Sequence, residues 1–261
     1  MDINYGLILA GFAVGTLVGL TGMGAGSLMT PLLINVFGIP ASTAVGTDLV
    51  YAAITKTFGA ARHHTLDNVN KRLAGWMAAG SMPAAFCGVF VLWHTRTDVD
   101  SWLPTAIGLS LVLVGIGVAF RTFVTVRGLW DRSRLPTDGE LTVRHKASAV
   151  AIGVVFGFIL GLTSVGSGVF FGMALITLFP LSARRVVGTD LFHAMLVTIA
   201  AGLATVLWGM PDYGYVGAIL IGSIPGILIG SHFTGRVNER ALRGGIAGVL
   251  ALSGLKLLGA F

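Results

Sequence analysis

The chain has 261 residues, of which 54% are hydrophobic and only 11% charged. Carried in long apolar runs, that balance excludes a soluble domain and describes an all-α polytopic membrane protein whose outer face meets lipid. The formal net charge of +6 does not point to nucleic acid, because the basic residues sit in short loops between apolar runs, as the positive-inside rule has it. Cys87 is the single cysteine; it excludes an intrachain disulfide and a cysteine-based metal site, and its apolar surroundings read as core filler. Met1-Asp2-Ile3-Asn4 lacks the basic n-region and small-residue cleavage site of a secretory signal, so the first helix is expected to remain in the mature protein.

The first apolar run, Gly6 to Leu20, would be a helix of about 22 Å, short of the roughly 30 Å hydrocarbon core. Gly22, Gly24 and Gly26 then break it, and a second short helix is expected from Ser27 to Phe37, with Pro31 suited to its first turn. The pattern predicts two half-helices and a bare-backbone tip near mid-membrane. The alternative is one long tilted helix with a Gly-rich packing face. Apolar runs follow at about 44–61, 73–93 and 102–120. A second broken segment at about 147–180 precedes runs at 186–207, 213–235 and 241–259.

The second set repeats the first. Gly15, Gly19, Leu20, Thr21, Gly24 and Gly26 are matched by Gly157, Gly161, Leu162, Thr163, Gly166 and Gly168, all at a shift of 142. The register holds through Val45-Gly46-Thr47-Asp48-Leu49 against Val187-Gly188-Thr189-Asp190-Leu191, and through Gly80-Ser81-Met82-Pro83 against Gly222-Ser223-Ile224-Pro225. The chain thus reads as a first transmembrane repeat at 1–120, a polar connector at 121–146 and a second repeat at 147–261.

Loop charges set the orientation. In the first repeat Arg62 to Arg72 is net positive and His94 to Ser101 net negative; in the second, Pro180 to Arg185 and Gly235 to Arg243 are basic and Thr205 to Gly214 holds only Asp212. Equivalent loops carry opposite signs, so the repeats are expected to be inverted. Three crossings plus a re-entrant hairpin per repeat gives that inversion, whereas four crossings would not. The expectation is about eight membrane segments with each hairpin counted once, a cytoplasmic connector with six basic and three acidic residues, and both termini periplasmic.

Non-helical backbone at membrane depth is tolerated only where protein buries it or water reaches it, and inverted repeats with broken helices are a transporter signature. Half-helices starting near the tips would aim free N–H groups and positive dipole ends at a shared cavity, which favours a small anion. The candidate binding residues are Thr21, Gly22, Met23, Gly24, Gly26 and Ser27 in one tip and Thr163, Ser164, Gly166, Ser167 and Gly168 in the other. Each hydroxyl has a structural alternative, a bond to the carbonyl of the preceding turn. Asp48 and Asp190 are equivalent ionisable residues inside apolar runs. They would either satisfy free N–H groups near a helix start and brace a tip, or gate the path and carry protons with the anion. Inversion puts them toward opposite faces, as symmetric gates. Lys56 has no basic counterpart at Thr198; it would snorkel to the cytoplasmic end of its helix or attract the anion. His193, aligned with Tyr51, reads as a packed, hydrogen-bonded histidine, and Pro83 and Pro225 as kinks. Ser167, His193 and Asp190 supply the residue types of a protease triad, but Ser167 lacks the Gly two residues before it that rhomboid-type proteases carry. No Walker motif, dinucleotide fingerprint or metal cluster is present, so no catalytic residue, cofactor or metal is expected.

Gly-Leu-Thr-Gly-Met-Gly-Ala-Gly-Ser-Leu-Met-Thr-Pro at 19–31, Ala-Val-Gly-Thr-Asp-Leu at 44–49 and Gly-Ser-Met-Pro at 80–83, with their second-repeat partners, resemble the TauE/SafE sulfite exporter family. The resemblance implies a bacterial inner-membrane carrier for sulfite, thiosulfate or small organosulfonates, usually an exporter. Ala25 stands where many members have another Gly, and Ser164 and Ser167 replace Gly22 and Ala25 in the second tip, changes that bear on which anion is preferred. The reading is a secondary transporter in which the two tips meet near mid-bilayer and bind a sulfur oxyanion, and access alternates as one half rocks on the other. Its rivals are a carrier for a carboxylate, an uptake direction, and a channel or scaffold. Proton coupling and assembly into a homo-oligomer stay open.

Overall fold

A computed structural model describes residues 5–21, 26–64, 69–126, 141–179, 181, 183–233 and 239–259. Within them the chain is helical throughout: α1 (Tyr5–Thr21), α2 (Gly26–Asn35), α3 (Ala41–His64), α4 (Lys71–His94), α5 (Val99–Val126), α6 (Val143–Thr163), α7 (Phe170–Leu178), α8 (Ala183–Leu207), α9 (Tyr213–Phe233) and α10 (Glu239–Leu257). Five of these, at 71–94, 101–120, 143–163, 185–207 and 213–233, are long and apolar enough to cross a membrane, and α1 is apolar but shorter. Helix α3 is as long as α4 but carries Asp48 and Lys56, which it buries against its neighbours.

Two helix pairs come together through glycine. Helix α6 runs parallel to α4, its Gly153, Gly157 and Gly161 lying in turn on the backbones of Met77, Ser81 and Ala85. A Cβ on Gly161 would stand 2.1 Å from the Ala85 carbonyl oxygen. Helix α1 meets α9 in the same way, Gly11, Gly15 and Gly19 lying on Ile219, Ser223 and Ile227. Such contact lets backbones approach to a distance that dispersion rewards where lipid supplies no hydrophobic drive. Two further pairs, α5 with α10 and α3 with α8, run antiparallel. Gly108 lies on Gly254 while Gly115 lies on Ala247, and Gly202 of α8 faces Leu49 of α3. Thr47 near the start of α3 accepts from the Asp212 N–H beyond the end of α8 at 3.1 Å, and Thr189 near the start of α8 accepts from the Asn70 N–H beyond the end of α3 at 2.9 Å. Asn70 and Asp212 in turn cap α4 and α9, accepting from Leu73 and Tyr215, both at 3.0 Å. The largest core cluster runs through α3, α4, α5, α6 and α8, with Leu49, Val89, Leu111, Val165 and Val197 fully buried.

Two expectations change. Pro31 lies in the second turn of α2 rather than the first, because the helix restarts at Gly26, before Ser27. Cys87 is exposed, since the buried face of α4 passes through Ala84, Ala85 and Gly88 and turns Cys87 outward. Pro83 and Pro225 sit inside helices that continue through them. The connector from 127 to 140 and the N-terminal residues before Tyr5 lie outside the described residues.

Gly161→Ala is expected to lower the stability of the detergent-solubilised protein by about 1–3 kcal/mol through overpacking. Gly217→Ala, whose added Cβ meets nothing within 4 Å, should leave stability unchanged or slightly higher. Thermal unfolding of the two variants measures the difference, and equal melting would contradict the α4–α6 contact.

Candidate functional site

The second tip is built where α6 stops. Ser164 takes a left-handed conformation, φ 59° and ψ 0°, and its N–H closes α6 on the Leu160 carbonyl at 2.7 Å. That conformation costs a residue with a Cβ of order 1–3 kcal/mol unless its surroundings fix it. Here they do, since the Ser164 hydroxyl donates to Asp48 Oδ2 at 2.8 Å. Gly166, at φ 93°, makes the next reversal, where a Cβ would stand 2.2 Å from the Phe170 ring. Its carbonyl accepts from the N–H groups of Val169 and Phe170 at 3.2 and 3.1 Å, which starts α7.

Residues of the first half surround this tip. Asp48 is fully buried, and Oδ2 also accepts from the Thr30 hydroxyl of α2 at 2.6 Å. Its other oxygen, Oδ1, has no hydrogen-bond partner among the described residues. Ser27, at the start of α2, accepts from the Gly166 N–H at 3.3 Å. Lys56 is 4% exposed, and its ammonium donates to the Ser167 hydroxyl. It therefore does not snorkel: two turns beyond Asp48 on α3, it is aimed at the tip, within electrostatic reach of both Asp48 and Asp190. The tip thus gathers Ser27, Thr30, Asp48, Lys56, Ser164, Gly166 and Ser167.

Other sequence candidates fall differently. The Thr163 hydroxyl bonds the Ile159 carbonyl of the preceding turn at 2.7 Å and accepts from the Val165 N–H at 3.2 Å, a structural use. Asp48 and Asp190 are each the eighth residue of their helix, too far in to cap the N–H groups of that helix's own first turn. Asp190 is buried, and its coupling to Lys56 joins it to the same charge cluster as Asp48. His193 is buried with Nε2 2.8 Å from Ser81 Oγ and its ring edge-on to Phe171, so it partners Ser81 and not Ser167. Gly22, Met23 and Gly24 lie outside the described residues; Thr21 ends α1 and Gly26 begins α2, with nothing described of the Thr21 side chain. Gly168 lies on the described tip between Ser167 and Val169. Sequence reasoning missed Thr30, whose only signal was a hydroxyl beside Pro31 in the Met-Thr-Pro run at 29–31.

Chemically, the site offers one ammonium, two carboxylates and several hydroxyls in a buried space. Ser167 accepts from Lys56 and keeps its own O–H to donate, as an oxyanion requires.

The family model described as "Sulfite exporter TauE/SafE" matches residues 7–257. The chain is similar to the "Probable membrane transporter protein YjnA" of Bacillus subtilis (strain 168), 44% identical over 259 residues that cover 97% of this chain and 98% of that protein. It is 27% identical over 256 residues to the "Probable membrane transporter protein YdhB" of the same organism, covering 97% and 99% of the two chains. A "Probable membrane transporter protein MJ0441" from Methanocaldococcus jannaschii is 26% identical over 269 residues, covering 97% and 94%. No solved structure matches the chain.

Thr30→Val and Ser164→Ala are each expected to destabilise the protein by about 1–3 kcal/mol, since each takes a donor from a buried carboxylate. Because both donors bond the same oxygen, the double variant should depart from the sum of the singles. Thermal unfolding of the three variants reads the coupling, and strict additivity would contradict a shared acceptor.

Proposed function

The chain belongs to the TauE/SafE sulfite exporter family of membrane transporters, and from that premise we propose that it carries a small sulfur oxyanion, sulfite or a small organosulfonate, out across the bacterial inner membrane. The observation that carries this reading is the Lys56 ammonium brought to Ser167 of a non-helical tip, in a span otherwise poor in charge. A buried cation beside hydroxyls is chemistry for an anion.

Inverted repeats are part of the proposal. A shift of 142 carries the Gly153–Met77 contact onto Gly11–Ile219, and the Asn70–Thr189 bond onto Asp212–Thr47. It also maps α3 onto α8 and α5 onto α10, pairs that run antiparallel, as elements of opposite orientation must. This supports two inverted repeats of a hairpin and three crossings, with about eight membrane segments, and the basic loops favour a cytoplasmic connector and periplasmic termini.

Charge counting supports proton coupling. Asp48, Asp190 and Lys56, all ionised, sum to one negative charge, which repels an anion; one proton on either carboxylate makes the cluster neutral. The anion is thus best accommodated together with a proton, and the two leave together under alternating access.

Proteoliposomes loaded with sulfite test this. Saturable efflux is expected, inhibited by sulfoacetate and thiosulfate and not by acetate, and faster when the loaded side is the more acidic. Efflux at the level of empty liposomes would remove sulfite as substrate, and competition by acetate would favour a carboxylate carrier. Lys56→Met should lower efflux at least tenfold, and Asp48→Asn and Asp190→Asn should each impair it; full activity in both carboxylate variants would remove their gating role.

A further inference from the structure

We propose that the cleft between the starts of α4 and α6 binds the phosphate head group of an anionic phospholipid. The cleft holds about 290 Å³ and is lined by Arg72, Trp76, Leu141 and Lys146. None of these belongs to the tip, so the site is separate from the proposed transport path and depends only on the protein lying in a bilayer.

Its position follows from the packing. Helices α4 and α6 are both long and apolar enough to cross a membrane, and they run parallel with backbones in contact from Met77 and Gly153 onward. Their starts therefore lie side by side at one end of the bundle, at the level where a span leaves the hydrocarbon. Arg72 is the second residue of α4 and Lys146 the fourth of α6, so two cations flank one opening. Trp76 lies one turn further in, 43% exposed, the interfacial position such side chains favour.

The chemistry selects the ligand. Among the described residues, two cations and no carboxylate line the cleft, which gives that lining a positive charge. The Lys146 ammonium stands 5.7 Å from the centre of the Trp76 ring, which holds it over the opening instead of leaving it to swing in solvent. A phosphodiester supplies the missing negative charge. A choline head group would bring its own cation against Arg72 and Lys146. The flank is suited to acyl chains: Gly75 leaves open space beside Trp76, and Val154, Val155 and Phe158 of α6 are exposed further along. A free anion would use the charges but not this apolar flank, whereas a lipid uses both.

Native mass spectrometry of the full-length protein, released from micelles holding equimolar phosphatidylglycerol and phosphatidylcholine, tests the site. Retention of phosphatidylglycerol over phosphatidylcholine by roughly tenfold or more is expected from two juxtamembrane cations. The Arg72→Gln/Lys146→Gln double variant should lose that preference, while Arg96→Gln, at the far end of α4 beside Trp93, should keep it. Equal retention of the two lipids by the unaltered protein would overturn the proposal without any variant having to fold. Wild-type retention of phosphatidylglycerol by a monodisperse double variant would also overturn it. Displacement of phosphatidylglycerol by millimolar inorganic phosphate would overturn it too, showing a site for free anions.

Discussion

Backbone that leaves the helical path inside a membrane has to be covered by protein, since each amide left facing lipid costs several kcal/mol. The reversal from Ser164 to Val169 is largely buried in the protein, and the first half of the chain supplies its partners. Asp48 takes the Ser164 hydroxyl, Ser27 takes the Gly166 amide, and Lys56 reaches Ser167. Each covering group is polar, so the cover is itself costly to bury unless the tip returns a hydrogen bond to it. The tip and its cover are therefore interdependent: neither would be stable at that depth without the other.

The two halves do not contribute equally to that arrangement. At the positions equivalent to Thr30, Lys56, Ser164 and Ser167 stand Gly172, Thr198, Gly22 and Ala25. Thr198, in place of a lysine, bonds the Ala194 carbonyl at 2.6 Å. Lys56 is placed where both carboxylates act on it. Among the described residues, Lys56, Ser164, Ser167 and Thr30 gather round one tip.

The helices were legible in the sequence because apolar runs end at charged loops: the run expected at 213–235 is Tyr213–Phe233, and that at 73–93 is Lys71–His94. The Gly and Asp matched at one fixed shift stand out in the sequence because packing and polar burial restrict such positions. What escaped notice depended on rotation about a helix axis or on partners far apart in the chain. Cys87 lies in a run apolar all round, so periodicity could not say that it faces outward. Lys56 near a helix end looks like a snorkelling side chain until Ser167, 111 residues away, is known to be its acceptor. The Thr30–Asp48 bond likewise needs α2 folded back on α3, which no local pattern specifies.

The glycine contacts of α1 on α9 and of α4 on α6 join helices from different halves of the sequence. Backbones that touch over several turns have no room to slide, because each ridge fits a groove shaped only for it. A motion that preserves these seams cannot hinge between residues 1–120 and 147–261 as two blocks, since it would tear both seams apart. The bodies free to move are instead composites, each carrying helices from both ends of the chain, and the fault line of the molecule runs across its duplication. The looser boundaries lie where α2 and α7 meet the long helices, which makes the short half-helices the parts able to shift while the glycine-sealed pairs stay whole.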